Sequence, residues 1–344
     1  MTDTQWQTLV RVVDGTHEGP VAGFIIDSPW LPAWSGISIL DYLSSPDLWF
    51  EANMKAHDTF PDCLFLPGFW SEFGMCTEPS AFGVRFVLPE NEFPAPLPDP
   101  GILERLDGFT RPDARVAGLL PLVIKRLSGL HDRIRRCGHE IRMAVARGPL
   151  NIATYLTGTT EFLIAAKLEP EKAHRLLEGI TDLLVDWLSY QIECFPSIDG
   201  LFLLDDIVGF LGEQDFLEFA FPYFQRLYSA FPVSVRLFHN DAACEVSAPH
   251  LERMGVNLFN FGTDLTFNEV RALCGDTVAL MGSIPPRDVL AAGTPQQVRE
   301  AITAQITAAP SLRRTVLSCG GGMPPGVSTA NIEAFVSAAT VRGG

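Results

Sequence analysis

The sequence predicts an α/β fold, a single (β/α)8 TIM barrel with an early loop and hairpin excursion, on three observations. Eight short apolar runs rich in β-branched residues recur along the chain. Amphipathic stretches long enough for helices separate several of them, and such alternation builds a parallel sheet wrapped by helices. The chain has 344 residues, 47% hydrophobic and 19% charged, which suits one large core and not a disordered segment. One domain over residues 1–344 is the expected count, with no internal repeat and no linker.

In chain order the strands are expected at 21–26, 63–66, 141–146, 201–204, 233–239, 257–261, 278–282 and 315–319. Helical patterns occupy 169–193, 216–231 and 294–309. The last opens with Thr294-Pro295, an N-cap followed by a proline at the first helical position. Residues 67–118 break the rhythm. Their Pro-rich acidic segment, from Pro89 to Pro100, cannot sustain a helix, so an excursion outside the barrel is expected there, with a short hairpin around 83–88.

Lys and Arg number 25 and Asp and Glu 41, so the formal net charge is 25 − 41 = −16. Nucleic-acid phosphates would be repelled by that balance, which argues against nonspecific nucleic-acid binding. The seven cysteines stand singly at 63, 76, 137, 194, 244, 274 and 319, with no CxxC pair. With the polar opening Met1-Thr2-Asp3-Thr4-Gln5, they read as reduced thiols of a cytoplasmic protein. No apolar run reaches the roughly 18–20 residues of a membrane span.

The chemistry is expected where strands end. His239 and Asp241 are two apart in an extended segment and share a face, the spacing that chelation by a strand needs. Cys319, at the end of a later strand, offers a thiolate, and zinc accepts such N/O/S mixtures. Cys244 stands as an alternative ligand if the chain folds back after Asp241. Asp205 and Asp206 end another strand and read either as an acid–base pair or as a helix cap and salt bridge. Glu78 is a lone carboxylate in an apolar loop, either catalytic or solvated. The run Gly320-Gly321-Gly322 permits close approach to a ligand or a sharp turn. Trp30, Trp34, Phe69, Trp70 and Phe73 either wall a pocket for a flat ligand or pack the core. Neither a GxGxxG fingerprint nor a P-loop is present.

Four further segments carry a resemblance. They are Arg147-Gly148-Pro149-Leu150-Asn151-Ile152-Ala153; Asp205-Asp206 with Phe216-Leu217-Glu218-Phe219 and Pro222-Tyr223; Met281-Gly282-Ser283-Ile284 with Leu290 and Gly293 to Val298; and Cys319-Gly320 with Pro324-Pro325-Gly326 and Asn331-Ile332-Glu333-Ala334. Together they resemble the uroporphyrinogen decarboxylase superfamily, and within it the cobalamin-dependent methyltransferase branch. Two departures set the chain apart from the decarboxylases. The stretch from Phe24 to Trp30 lacks their arginine-rich signature, and no aspartate stands near Phe69-Trp70, where their catalytic one is expected. An arginine-poor pocket binds a polycarboxylate badly.

The resemblance implies a corrinoid-linked methyltransferase. It would move a methyl group between methylcobalamin and a small thiol, folate or methoxy or methylamine compound. In that branch zinc sits in an HxC…C pattern, which maps here to His239, Asp241 in place of the first cysteine, and Cys319. Asp206, Asp205 and Glu78 are the expected catalytic residues, and Gly148, Gly320, Trp70 and Trp30 the expected cofactor-binding ones. No DxHxxG corrinoid segment is present, so the corrinoid would come free or on a separate partner protein. Two alternatives stay open: a metal-independent decarboxylase or lyase on a non-porphyrin substrate, with Asp205, Asp206 and His239 as acid–base groups, and a noncatalytic tetrapyrrole- or corrinoid-binding barrel.

Overall fold

The computed structural model describes residues 1–26, 29–108, 110–309 and 311–340. Asp27 and Ser28, part of the arginine-free stretch, lie outside the described residues. Ten strands occur among the described residues: β1 Val21–Ile25, β2 Leu64–Leu66, β3 Arg85–Val87, β4 Ala95–Leu97, β5 Met143–Arg147, β6 Gly200–Leu204, β7 Val235–Asn240, β8 Leu258–Phe261, β9 Ala279–Ile284 and β10 Thr315–Cys319. All eight expected runs are strands, with ends moved by at most two residues.

They form one parallel sheet in the order β2-β1-β10-β9-β8-β7-β6-β5, curled into the (β/α)8 arrangement. Outside it, β3 and β4 pair antiparallel, so the hairpin's second strand is built from the Pro-rich segment itself. Pro96 is tolerated because a two-stranded ribbon is all edge.

Expected helices are found at Pro170–Cys194 and Pro295–Ala308, the latter with Thr294 and Gln297 closing a capping box. The third, at 216–231, is a π-helical turn, Phe216–Ala220, followed by the α-helix Phe221–Ser229. No described helix is long and apolar enough to cross a membrane.

Strand side chains alternate between two cores. Leu64, Leu66, Met143, Phe202, Val235, Leu237, Leu258, Met281 and Val316 fill the barrel interior. Their neighbours Cys63, Phe65, Ala144, Leu203, Phe238, Phe259, Leu280 and Leu317 face the helices. The helix Asp3–Val13, which the strand-and-helix pattern did not disclose, joins the inner set through Trp6, Leu9, Val12 and Val13. A Cβ on Gly200, the first residue of β6, would meet the Trp6 ring at 2.9 Å. This helix therefore plugs the end of the barrel where strands begin and leaves the other end for chemistry.

Two histidines are buried in the helix layer. His57, in the helix Pro46–Thr59, and His139, after the helix Leu120–Arg136, stand with ring centroids 4.5 Å apart, beside Phe65 and Phe69. Neither nitrogen of His57, nor Nδ1 of His139, has a hydrogen-bond partner among the described residues. Burial pushes His57 well below the usual histidine range and holds His139 near 4. An unfolded chain therefore takes up protons near pH 6.5 that the folded one refuses. The contribution of this pair to stability is expected to be flat above about pH 6.5 and to be lost as pH drops from there toward 4. Thermal melts across pH 4–8 check this, and His57→Phe should flatten the acid limb.

Candidate active site at the barrel mouth

By the parity of β7, His239 points inward two residues after Leu237 and is buried. Asn260 is placed alike on β8 and pairs with it across the ladder. The Asn260 amide donates through Nδ2 to the Met281 carbonyl at 3.0 Å, which turns its Oδ1 toward His239 Nδ1 at 2.7 Å. With an acceptor fixed there, His239 Nδ1 donates to Asn260 and Nε2 is the ring nitrogen turned to the mouth. Such an outer hydrogen bond orients a metal-binding imidazole.

Two carboxylates converge on that nitrogen. Asp206, just past β6, places Oδ1 3.7 Å from His239 Nε2 and accepts the Asp241 N–H at 3.0 Å. Asp241 follows β7 by one residue and is exposed. One ligand atom each from Asp206, His239 and Asp241 lie within 4.8 Å of one another. The turn is tightly built. A Cβ on Gly262 would meet the Asp241 carbonyl at 2.2 Å, and one on Gly321 its carboxylate at 2.8 Å. Burial pushes the Asp206 carboxyl up and the Asp241 charge adds to that, while His239 opposes it.

Asp205 has the opposite parity and a different task. It is fully buried and accepts the main-chain N–H groups of Leu150 at 2.8 Å, Asn151 at 3.1 Å and Ile207 at 3.2 Å. The first two belong to the first turn of the helix Pro149–Thr157, so Asp205 anchors that helix to the end of β6. Burial raises its carboxyl well above the usual range, and the amides oppose the rise. Asp205 thus does the work of a helix cap.

A buried charge network lies across the seam between β5 and the segment after β2. Arg147, the last residue of β5, bonds Glu72 at 2.8 Å and lies 3.8 Å from Glu78, whose Oε1 accepts the Arg147 N–H at 3.3 Å. Glu78 is thus no solvated loop residue; it is 2% exposed, and burial pushes its carboxyl up against the Arg147 charge. Tyr155 feels Arg147, Asp206, Asp205 and Glu78 and is pushed to about 12, chiefly by burial. Glu72, Tyr155 and Asn260 were not singled out in the sequence; Asn260 was findable, because it sits where a strand end meets the mouth.

The remaining expected residues are placed as follows. Cys319 has the parity of Leu317 and faces the helix layer, its Sγ 3.5 Å from the Gly321 carbonyl; it is not among the atoms converging with His239. Cys244 is buried in that outer layer and is pushed to about 12 by burial. At Gly148 and Gly320 the close approach is to protein: a Cβ would strike Asp205 at 2.4 Å and Thr263 at 2.7 Å, respectively. Trp70 lies in the barrel interior, 5.7 Å from Phe202, whose ring is 6.4 Å from His239. Trp30 is buried in the outer layer against Trp34 and Phe65, its Nε1 donating to the Val327 carbonyl.

Known proteins agree with this architecture. A methyltransferase from Methanosarcina mazei superposes with a TM-score of 0.80 at 15% identity, covering 97% of this chain and 98% of that one, which shows the fold. The uroporphyrinogen decarboxylase of Prochlorococcus marinus (strain NATL1A) is 30% identical over 314 residues, 86% of this chain and 82% of that protein. That of Chlorobium phaeovibrioides is 28% identical over 190 residues, so this chain spans about half, 52%, of that relative's length. The sequence pattern of the uroporphyrinogen decarboxylase (URO-D) family matches residues 33–341. By that match, over nearly the whole chain, this protein belongs to the uroporphyrinogen decarboxylase family.

Proposed function

We propose that this chain is a corrinoid-linked methyltransferase that binds a divalent cation through His239, Asp206 and Asp241. It would move a methyl group between methylcobalamin, free or on a separate protein, and a small thiol, folate, methoxy or methylamine compound. The observation that carries this reading is the convergence of one imidazole nitrogen and two carboxylates within 4.8 Å at the barrel mouth. The donor set fits a divalent cation such as zinc, with the imidazole already oriented by Asn260. A thiolate-rich set does not fit these residues, because Cys319 faces away. A cation held there lowers the pKa of a bound thiol or polarises a bound heteroatom.

The chain's own residues would do the rest. Asn260 keeps His239 Nε2 turned to the mouth, and Asp241 holds Asp206 in place through its N–H. Phe202 and Trp70 form an apolar floor beneath His239 that excludes water. The carboxylates of Asp206, Asp241, Glu72 and Glu78 outnumber the Arg147 charge, so a polyanionic porphyrinogen would be repelled.

One observation favours a second reading. Asp206, raised by burial and 3.7 Å from His239 Nε2, is an acid–base pair that a metal-independent lyase or decarboxylase on a non-porphyrin substrate could use. Metal content by plasma mass spectrometry separates the two, followed by absorbance assays of methylcobalamin demethylation with small thiols, tetrahydrofolate and amines. About one divalent ion per chain is expected, with turnover falling by roughly 100-fold or more in His239→Ala. Turnover without either metal or cobalamin would establish the lyase instead.

A further inference from the structure

A groove of about 550 Å3 lies between the helix Leu120–Arg136 and the segment around Leu43. Its size falls in the range of about 300–1,000 Å3 typical of small-molecule sites. Leu43, Phe73, Leu122 and Leu130 give it an apolar surface, and Leu122 is half exposed. Along the helix, Leu122, Lys125, Arg126 and Gly129 share one face at spacings of three and four. Gly129 leaves the groove open: a Cβ there would meet nothing within 4 Å.

The charge of this groove is unlike that of the molecule. In a chain of net charge −16, two of its described lining residues are cations and none is an acid. The nearby Asp47 is committed to Arg133 at 2.6 Å. Arg126 is 6% exposed, and its guanidinium donates to the carbonyls of Leu43 and Glu72 and to Ser71 Oγ. It also lies over the Phe73 ring, 4.6 Å from its centre. Among the described residues no carboxylate stands within ion-pair distance of it, and Glu72, whose field reaches it, bonds Arg147 instead. Buried charges are normally paired, and among the described residues this one meets carbonyls, a hydroxyl and a ring but no carboxylate. Burial accordingly lowers the Arg126 pKa.

We propose that this groove binds an amphipathic monoanion, its aliphatic or aryl body on Leu43, Phe73, Leu122 and Leu130 and its carboxylate-type head between Lys125 and Arg126. None of His239, Asp206 and Asp241 lines this groove, and the proposal is independent of the reaction assigned to them. The groove touches the Arg147 network through Arg126, which bonds the main chain of Glu72, the partner of Arg147.

Calorimetric titration with decanoate, decanol and decylamine, below their aggregation limits, tests the proposal. One decanoate per chain is expected, bound about tenfold or more tightly than the alcohol or the amine, as a charge-assisted contact requires. Gly129→Leu fills the groove and replaces a helix-interior glycine, so binding should weaken at least about tenfold while the melting temperature holds or rises. Lys125→Gln should weaken decanoate several-fold and leave decanol unchanged. Equal binding of the three probes, no binding at all, or decanoate binding unaffected by Gly129→Leu overturns the proposal. So does a concentration-dependent dimer in sedimentation that Gly129→Leu abolishes and decanoate does not compete with, since the occupant is then a second copy.

Discussion

Arg147→Met is expected to lower stability by about 3–5 kcal/mol, the cost of leaving buried acids without their cation. Glu72 and Glu78 are 4% and 2% exposed, and Arg147 is their shared partner at 2.8 and 3.8 Å. Methionine fills much of the arginine's volume, so the loss reports charge more than cavity. For a domain of this size the melting temperature should fall on the order of 10 °C. The pH dependence has a definite sign. Burial already raises the Glu78 carboxyl and Arg147 opposes the rise, so without Arg147 the stability Glu78 contributes is present in acid and lost as pH rises. The gap between wild type and variant should therefore narrow as pH falls from 7 toward 5. Glu72→Gln and Glu78→Gln added to Arg147→Met should recover much of the loss, because a neutral buried set no longer lacks a counterion. Urea melts at two pH values check all three. A variant within about 1 kcal/mol of wild type would mean that the network is hydrated.

The sequence disclosed the fold more fully than the site, and strand parity explains the difference. Each barrel strand is apolar on both faces, so its run is visible but its facing is not. His239 and Asp241 could be grouped because their spacing of two holds whichever way β7 faces. Relating them to Cys319 required the absolute facing of β10. In Thr-Val-Leu-Ser-Cys both alternating sets are largely apolar, and only the folded chain shows Val316 inside and Cys319 outside. The same ambiguity covers Asp205 and Asp206, adjacent residues of which one caps a helix and the other faces His239. Glu72 and Arg147 are 75 positions apart, and no local pattern announces an ion pair formed across a barrel seam. Trp6, Leu9 and Val13 do lie on one helical face, a spacing short enough to pass beside the strand signals.

Asp206→Asn is expected to weaken divalent-cation binding by about tenfold to 100-fold, whereas Cys319→Ser should leave it within a few-fold of wild type. Competition with a chromophoric chelator measures both. Asparagine keeps an oxygen at the position that accepts the Asp241 N–H, so the turn survives and only the anionic donor is lost. Serine at 319 replaces a buried thiol whose Sγ contacts the Gly321 carbonyl on the helix side of the sheet. The reverse pattern, with metal lost in Cys319→Ser and kept in Asp206→Asn, would require the glycine run after β10 to rearrange and would restore a thiolate site. The distinction bears on the chemistry itself. One imidazole with two carboxylates is a harder donor set than a thiolate pair and leaves more positive charge on the cation. Such a cation polarises a bound oxygen or nitrogen nucleophile as readily as a thiol. If Asp206 proves to be the ligand, methoxy- and amine-derived substrates become better first choices than thiols in the demethylation assays.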